Sequence, residues 1–255
     1  MNNKVRWVFA VCAWTMASLC ATASHASVII HGTRVIYKAE EQEVVVRMEN
    51  KGTRPVLVQT WLDDGDKRST PATAKVPFSA TPPVFRLDPQ KQQALRMRYT
   101  GESLPKDRES LFWLNVMEIQ PKAVNADSRN LIELAFRSRI RVFFRPDKLS
   151  SERSDAASKL TWKLIDYRGG YALEVTNPTP YHISVAKAEL VGKGGQRYAK
   201  APNAEANDSL LLPSGDVKRF VLPGLHTRLA GAKEVEFTEV NDFGARIKHS
   251  VDLPL

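Results

Sequence analysis

The stretch from Asn130 to Pro146, NLIELAFRSRIRVFFRP, constrains the fold of this chain more than any other. Its first half alternates. Ile132, Leu134 and Phe136 fall on one side and Glu133, Ala135 and Arg137 on the other, the period-2 pattern of a strand with one apolar face. Its second half interleaves Arg139, Arg141 and Arg145 with Ile140, Val142, Phe143 and Phe144. Pro146 ends the pairing because it has no N–H to give to a ladder. At about 3.3 Å per residue, a strand from Leu131 to Phe144 runs about 45 Å, against about 20 Å for an ordinary strand. Such a strand is expected to outrun its own sheet, and the overhang needs a purpose.

The rest of the chain reads as strands. Before residue 148 they are expected at 29–37, 43–50, 56–62, 92–99 and 111–119, the last apolar on both faces and therefore central. Thr70 to Pro83, rich in Pro, Thr and Ala, reads as loop, with Thr81-Pro82-Pro83 a site for a cis bond. Arg145-Pro146-Asp147-Lys148 and the polar run that follows mark a composition break, so a domain boundary is placed near residue 148. Strand patterns resume at 160–166, 171–177, 183–191, 217–222, 233–240 and 246–253, punctuated by Gly169-Gly170 and Gly194-Gly195. No long amphipathic helix stands out. Short strands in two blocks of comparable length predict an all-β chain of two β-sandwiches, 27–147 and 148–255.

Residues 1–26 are set apart as a signal peptide. Lys4 and Arg6 precede an apolar run from Val8 to Leu19, and Ser24-His25-Ala26 offers small residues at a cleavage spacing. Both cysteines, Cys12 and Cys20, lie inside it. The mature chain is then exported yet free of disulfides, which excludes thiol catalysis and cysteine metal sites. Removing Lys4 and Arg6 lowers the formal net charge from +9 to +7. For an exported protein that balance points to anionic partners or a membrane surface rather than to nucleic acid.

The sequence carries no recognisable catalytic motif. His31, His182, His226 and His249 form no pair at metal-ligand spacing, and there is no nucleophile elbow, phosphate loop or dinucleotide fingerprint. Carboxylates such as Asp63 and Asp64 read as solvated turn residues. Neither an enzyme, a cofactor nor a metal is expected. Three features stay open on pattern alone. The Ile132, Leu134 and Phe136 face packs into its own sandwich, or is an edge offered to another chain. Arg34 and Arg141 are solvated strand charges, or two guanidiniums converging on an anion. Glu109, Arg145 and Asp242 are scattered charges that nothing local connects.

The segments Thr33-Arg34-Val35-Ile36-Tyr37, Asp107 to Trp113 and Arg139 to Pro146 resemble those of the periplasmic pilus chaperones of the chaperone–usher pathway. Thr81-Pro82-Pro83, Asn177 to Tyr181 and Asn241-Asp242-Phe243-Gly244 agree, in the family's order and over nearly the whole mature chain. The resemblance implies two immunoglobulin-like β-sandwich domains set as a boomerang. It implies a chaperone that stabilises pilus subunits by donor-strand complementation and delivers them to an outer-membrane usher. Residues 131–144 would be the subunit-binding strand, with Ile132, Leu134 and Phe136 in the subunit's groove. The family's cleft arginine and lysine, which anchor the subunit's C-terminal carboxylate, fall on Arg34 and Arg141, the second a departure from lysine to a planar fork. The family's interdomain charge network falls on Glu109, Arg145 and Asp242. The short loop between Ile119 and Leu131 resembles the branch that mostly builds rod-like pili.

Two other classes compete. A secreted adhesin or pilus structural subunit would be expected to carry a disulfide and an N-terminal donor extension. A β-sandwich hydrolase would need clustered acid and base residues. The expected partners are pilus subunits and an usher, and a second copy that caps the apolar edge of the free protein.

Overall fold

The computed structural model describes residues 27–121, 134–192, 197–200, 210–226 and 232–253, and every structural statement below concerns these. Apart from two single 3₁₀ turns, Arg153–Asp155 and Ala157–Lys159, the regular structure is β throughout. Among the described residues, no helix is long and apolar enough to cross a membrane.

The first sandwich contains β1 (Val28–Ile30), β2 (Arg34–Lys38), β3 (Val44–Asn50), β4 (Val56–Asp63), β5 (Phe78–Thr81), β6 (Val84–Leu87), β7 (Gln92–Tyr99), β8 (Ser110–Ile119) and β9 (Ala135–Arg145). One sheet has the order β1-β3-β7-β5 and the other β2-β9-β8-β4-β6. The single first strand expected at 29–37 is two strands in different sheets, because the chain turns at Gly32 with φ +114°, where a side chain would be strained. The expected loop 70–83 ends in a strand, β5, whose Phe78 is buried. Its Pro and Thr content concealed one buried aromatic. The Thr81–Pro82 bond is cis.

The inward faces close over Tyr37, Met48, Leu95, Met97, Leu114, Val142 and Phe144. Tyr37 is fully buried, and its hydroxyl is satisfied by donating to the Gln42 carbonyl and accepting from Tyr99 N–H.

The second sandwich contains β10 (Thr161–Tyr167), β11 (Gly170–Thr176), β12 (Ile183–Gly192), β13 (Arg197–Lys200), β14 (Leu210–Leu212), β15 (Val217–Leu222), β16 (Ala232–Val240) and β17 (Arg246–Asp252). Its sheets are β10-β11-β15 and β13-β12-β16-β17, with β14 also on β12. Trp162 is its hub, with ring centroids 5.2 Å from Phe237 and 5.7 Å from Phe220. Gly194-Gly195 lies outside the described residues.

Both sandwiches brace a strand end with a wholly buried asparagine. Asn50 Nδ2 donates to the carbonyls of Arg54 and Leu87, and its Oδ1 accepts from Gly52 N–H. Asn177 Nδ2 donates to the carbonyls of Tyr181 and Leu212, and its Oδ1 accepts from Thr179 N–H and Oγ1. The second brace matters for the site, since it shapes the Asn177–Tyr181 segment that receives the first sandwich.

Candidate functional site

β9 is paired on one side along its whole length, with Ala135 to Phe144 opposite Ile119 to Ser110 of β8. On its other side β2 lies parallel to it but covers only Arg141 to Arg145. The backbone edge over residues 135–140 therefore has no strand partner among the described residues. Alternation sorts the side chains. Ile140 is partly buried against the core and Val142 and Phe144 belong to it, while on the same parity Leu134 is 61% exposed and Phe136 37% exposed. The apolar face thus begins as core and ends in solvent. Ile132 lies outside the described residues, as does most of the 119–131 loop.

The opposite parity carries Arg137, Arg139, Arg141 and Arg145. The parallel register sets Arg34 directly beside Arg141. Arg34 Nη1 donates to the Val240 carbonyl at 2.8 Å, across to the second sandwich, while its buried Nε has no hydrogen-bond partner among the described residues. Burial, and then the neighbouring Arg141 charge, pushes the Arg34 guanidinium down to about 10, with Asp242 and Glu239 pulling the other way. It is still cationic at neutral pH. Arg141 is 7% exposed, with its guanidinium carbon 5.4 Å from the Trp113 ring centroid. Two cations thus stand side by side, Arg34 partly and Arg141 almost wholly buried, at the point where β2 takes over the edge of β9.

Glu109, Arg145 and Asp242 meet. Arg145 Nε donates to Glu109 Oε1 at 2.7 Å and its Nη1 to Asp242 Oδ2 at 2.8 Å. Glu109 Oε2 accepts from His182 N–H at 2.8 Å, and Glu109 N–H donates to the Pro180 carbonyl. Arg153, which the sequence pattern did not single out, continues the chain to Asp242 at 3.2 Å and Glu239 at 2.8 Å. Asp242 and Glu239 come from the second sandwich, Glu109 and Arg145 from the first, so the network spans the interface. Desolvation pushes the Asp242 carboxyl up, but the bond from Arg145 and the charges of Arg145, Arg153 and Arg34 outweigh it and hold the group below the usual range.

Asp63 corrects the expectation of a solvated turn carboxylate: it is 1% exposed, because it is the last residue of β4 and faces Trp113 across the ladder. Its Oδ1 accepts from Arg139 Nη2 at 2.6 Å and Gly65 N–H at 2.8 Å. Its Oδ2 accepts from Asn115 Nδ2 at 2.7 Å and Ser69 Oγ at 2.8 Å. Arg137 closes the cluster, donating to Asn115 Oδ1 and lying 4.7 Å from the Trp61 ring centroid. One carboxylate thereby ties two arginines of the open half of β9 to β4 and β8. We expect Asp63→Ala to lower stability by about 2–4 kcal/mol, since Arg137 and Arg139 are then left side by side without their anion. A urea midpoint equal to wild type would contradict this. Desolvation raises the Asp63 carboxyl, but its hydrogen bonds and Arg139 pull it lower still, so its contribution is complete above about pH 4 and is lost as pH falls further.

Among the described residues no cluster of His, Cys, Asp and Glu could hold a metal.

Residues 27–150 match the N-terminal domain of the PapD pili and flagellar-assembly chaperones, and residues 155–251 the C-terminal domain of the PapD pili-assembly chaperones. The chain belongs to the pilus-assembly chaperone family. It is 42% identical over 236 residues to the probable fimbrial chaperone YadV of Escherichia coli, covering 91% of this chain and 92% of that one. It is 42% identical over 242 residues to the chaperone FimB/FhaD of Bordetella pertussis, covering 93% and 92%. The crystal structure of YadV superposes with a TM-score of 0.73, covering 89% of this chaperone and all of that chain. The SafB chaperone of Salmonella enterica, solved in complex with SafA pilin, superposes with a TM-score of 0.71 at 28% identity, covering 92% and 99%. The immunoglobulin-like pair of sandwiches and the chaperone function are those of the family.

Proposed function

We propose that this chaperone captures pilus subunits in the periplasm by lending them the open half of β9, with Arg34 and Arg141 holding the subunit's C-terminal carboxylate. The observation that carries this is the shared edge of β9. Residues 141–145 are occupied by β2, and along residues 135–140 the edge away from β8 has no strand partner among the described residues. A client strand added there runs toward β2 and must stop where β2 begins, beside Arg34. Two cations at that stop favour a carboxylate over an amino terminus, which makes the client parallel to β9. Donor-strand complementation follows, with Ile132, Leu134 and Phe136 as the side chains presented to the client's groove.

The division of labour follows from magnitudes. Burying Leu134 and Phe136 contributes about 1.5–3 kcal/mol each, and charge-assisted bonds to the carboxylate about 1.5–3 kcal/mol each, before ordering costs. The arginines also set register, because a one-residue slip along a strand presents the wrong face. Glu109, Arg145 and Asp242 hold the two domains, 27–147 and 148–255, in the relation this needs. Delivery to an outer-membrane usher, export by residues 1–26, and capping of the open edge by a second copy when no client is present complete the reading.

Leu134→Glu tests it. The side chain is exposed, so we expect the melting temperature to stay within about 2 °C of wild type. Recovery of a co-expressed pilus subunit in complex should fall at least about tenfold. Full recovery of the complex, or an unfolded variant, would sink the assignment of this face.

A further inference from the structure

Phe243, in the turn between β16 and β17, is 95% exposed, more than any other large apolar side chain among the described residues. A single exposed hydrophobic is ordinary. This one differs in how firmly it is held and in where it stands. Asn241 organises the turn: its Oδ1 accepts from Phe243 N–H at 3.1 Å and Ala245 N–H at 2.9 Å, its N–H donates to the Ala245 carbonyl, and its own carbonyl accepts from Gly244 N–H. Asp242, next in the chain, is clamped by Arg145 and Arg153. Gly244 has φ +80°, and a Cβ there would lie 2.9 Å from Thr33 Oγ1, so the turn presses against the first sandwich and tolerates no side chain at that point.

The position follows from register. Because β2 runs parallel to β9 and its register begins with Arg34 opposite Arg141, Thr33 stands just before the end of β2 that faces the open half of β9. The turn packed against Thr33 is therefore at the same end of β2 as the open half of β9. On the far side Val240, three residues before Phe243, receives Arg34 Nη1 at 2.8 Å.

We propose that Phe243 is a contact residue for the client, packing against an apolar side chain among the last residues of the subunit's terminal strand while Arg34 and Arg141 hold its carboxylate. This rests on the anchor reading above and adds a selection the arginines cannot make. A carboxylate alone is common to every chain end, whereas a carboxylate preceded by an apolar side chain is not.

The test uses the full exported chain and a labelled octapeptide of alternating threonine and valine. One form ends in two leucines and a free carboxylate, the other in two serines. Binding is read by fluorescence anisotropy. Phe243→Ser should fold as wild type, since it removes a solvent-exposed ring. It should weaken the leucine-ended peptide about tenfold and leave the serine-ended peptide unchanged. Equal affinity of Phe243→Ser and wild type for the leucine-ended peptide overturns the proposal. The parallel variant Arg34→Ala separates the two readings. If it abolishes binding while Phe243→Ser does not, the anchor stands and the aromatic contact falls. If it binds as wild type does, the anchor itself is wrong, and a wild-type protein that binds neither peptide counts against both. Sedimentation in which Phe243→Ser converts a dimer to a monomer with unchanged peptide affinity assigns the ring to self-association instead, and likewise overturns the proposal.

Discussion

Arg141→Ala is expected to weaken capture of a pilus subunit by about a hundredfold while leaving the free chaperone folded. The two halves of that result have separate causes. Capture is expected to fail because a client carboxylate brought to the start of β2 would meet one guanidinium instead of two, after losing its own hydration. The fold is expected to survive because Arg141 stands in register beside Arg34, whose charge is already disfavoured by burial and by this neighbour. Removing one of two like charges relieves that repulsion, which works against the loss of Arg141's own contacts, the cation–π contact with Trp113 among them at about 0.5–1 kcal/mol. Arg141→Lys should restore most of the affinity, since a point charge suffices to neutralise a carboxylate even where the bidentate fork is lost. Subunit co-purified at wild-type yield with Arg141→Ala would contradict the anchor. A client with an amidated C-terminus should lose affinity for the wild-type chaperone to the same degree.

The second large effect is expected from Arg145→Ala. Glu109 has a side chain only 1% exposed, and Arg145 is its cation at 2.7 Å. Taking that cation away leaves a buried carboxylate with the His182 N–H still donating to it and no neutralising arginine, at a cost of about 3–5 kcal/mol. The loss falls on the interface, because Arg145 is also the tie from the first sandwich to Asp242 in the second. A calorimetric trace should therefore pass from one transition to two, one for each sandwich. Adding Glu109→Gln should recover part of the loss, since the amide oxygen still accepts from His182 N–H and no charge is stranded. A single transition at the wild-type temperature in Arg145→Ala would remove the network from any role in coupling the domains. The same network sets an acid limit. Asp242 is held below the usual carboxylate range in the folded protein, so its contribution is complete above about pH 4 and disappears as pH falls through the lower folded value. Domain coupling through Asp242 is thus expected to be insensitive to pH between about 5 and 8 and to weaken only in stronger acid.

Local pattern determined the strands. The alternation of Leu134 and Phe136 with Ala135 and Arg137, and the apolar run of β8, are each visible within a few residues, because side-chain direction in a strand has a period of two. Strand breaks were less visible where one residue overrode composition: Gly32 divides the first expected strand between two sheets, and Phe78 turns a Pro- and Thr-rich loop into β5.

What tertiary structure alone decided is which groups face one another across long separations. Asp63, in an acidic turn sequence, became a buried counter-ion because β4 pairs with β8 and brings Arg139, 76 residues later, to 2.6 Å. Arg145 joins Glu109 and Asp242 from 36 and 97 residues away. The open edge itself is such a case. Nothing within 135–140 states whether a strand lies beside it, and that is decided by β2, about a hundred residues earlier, beginning its parallel run only at Arg34. Alternation is a property of a chain with itself, while pairing, burial and charge neutralisation are properties of what the fold brings alongside.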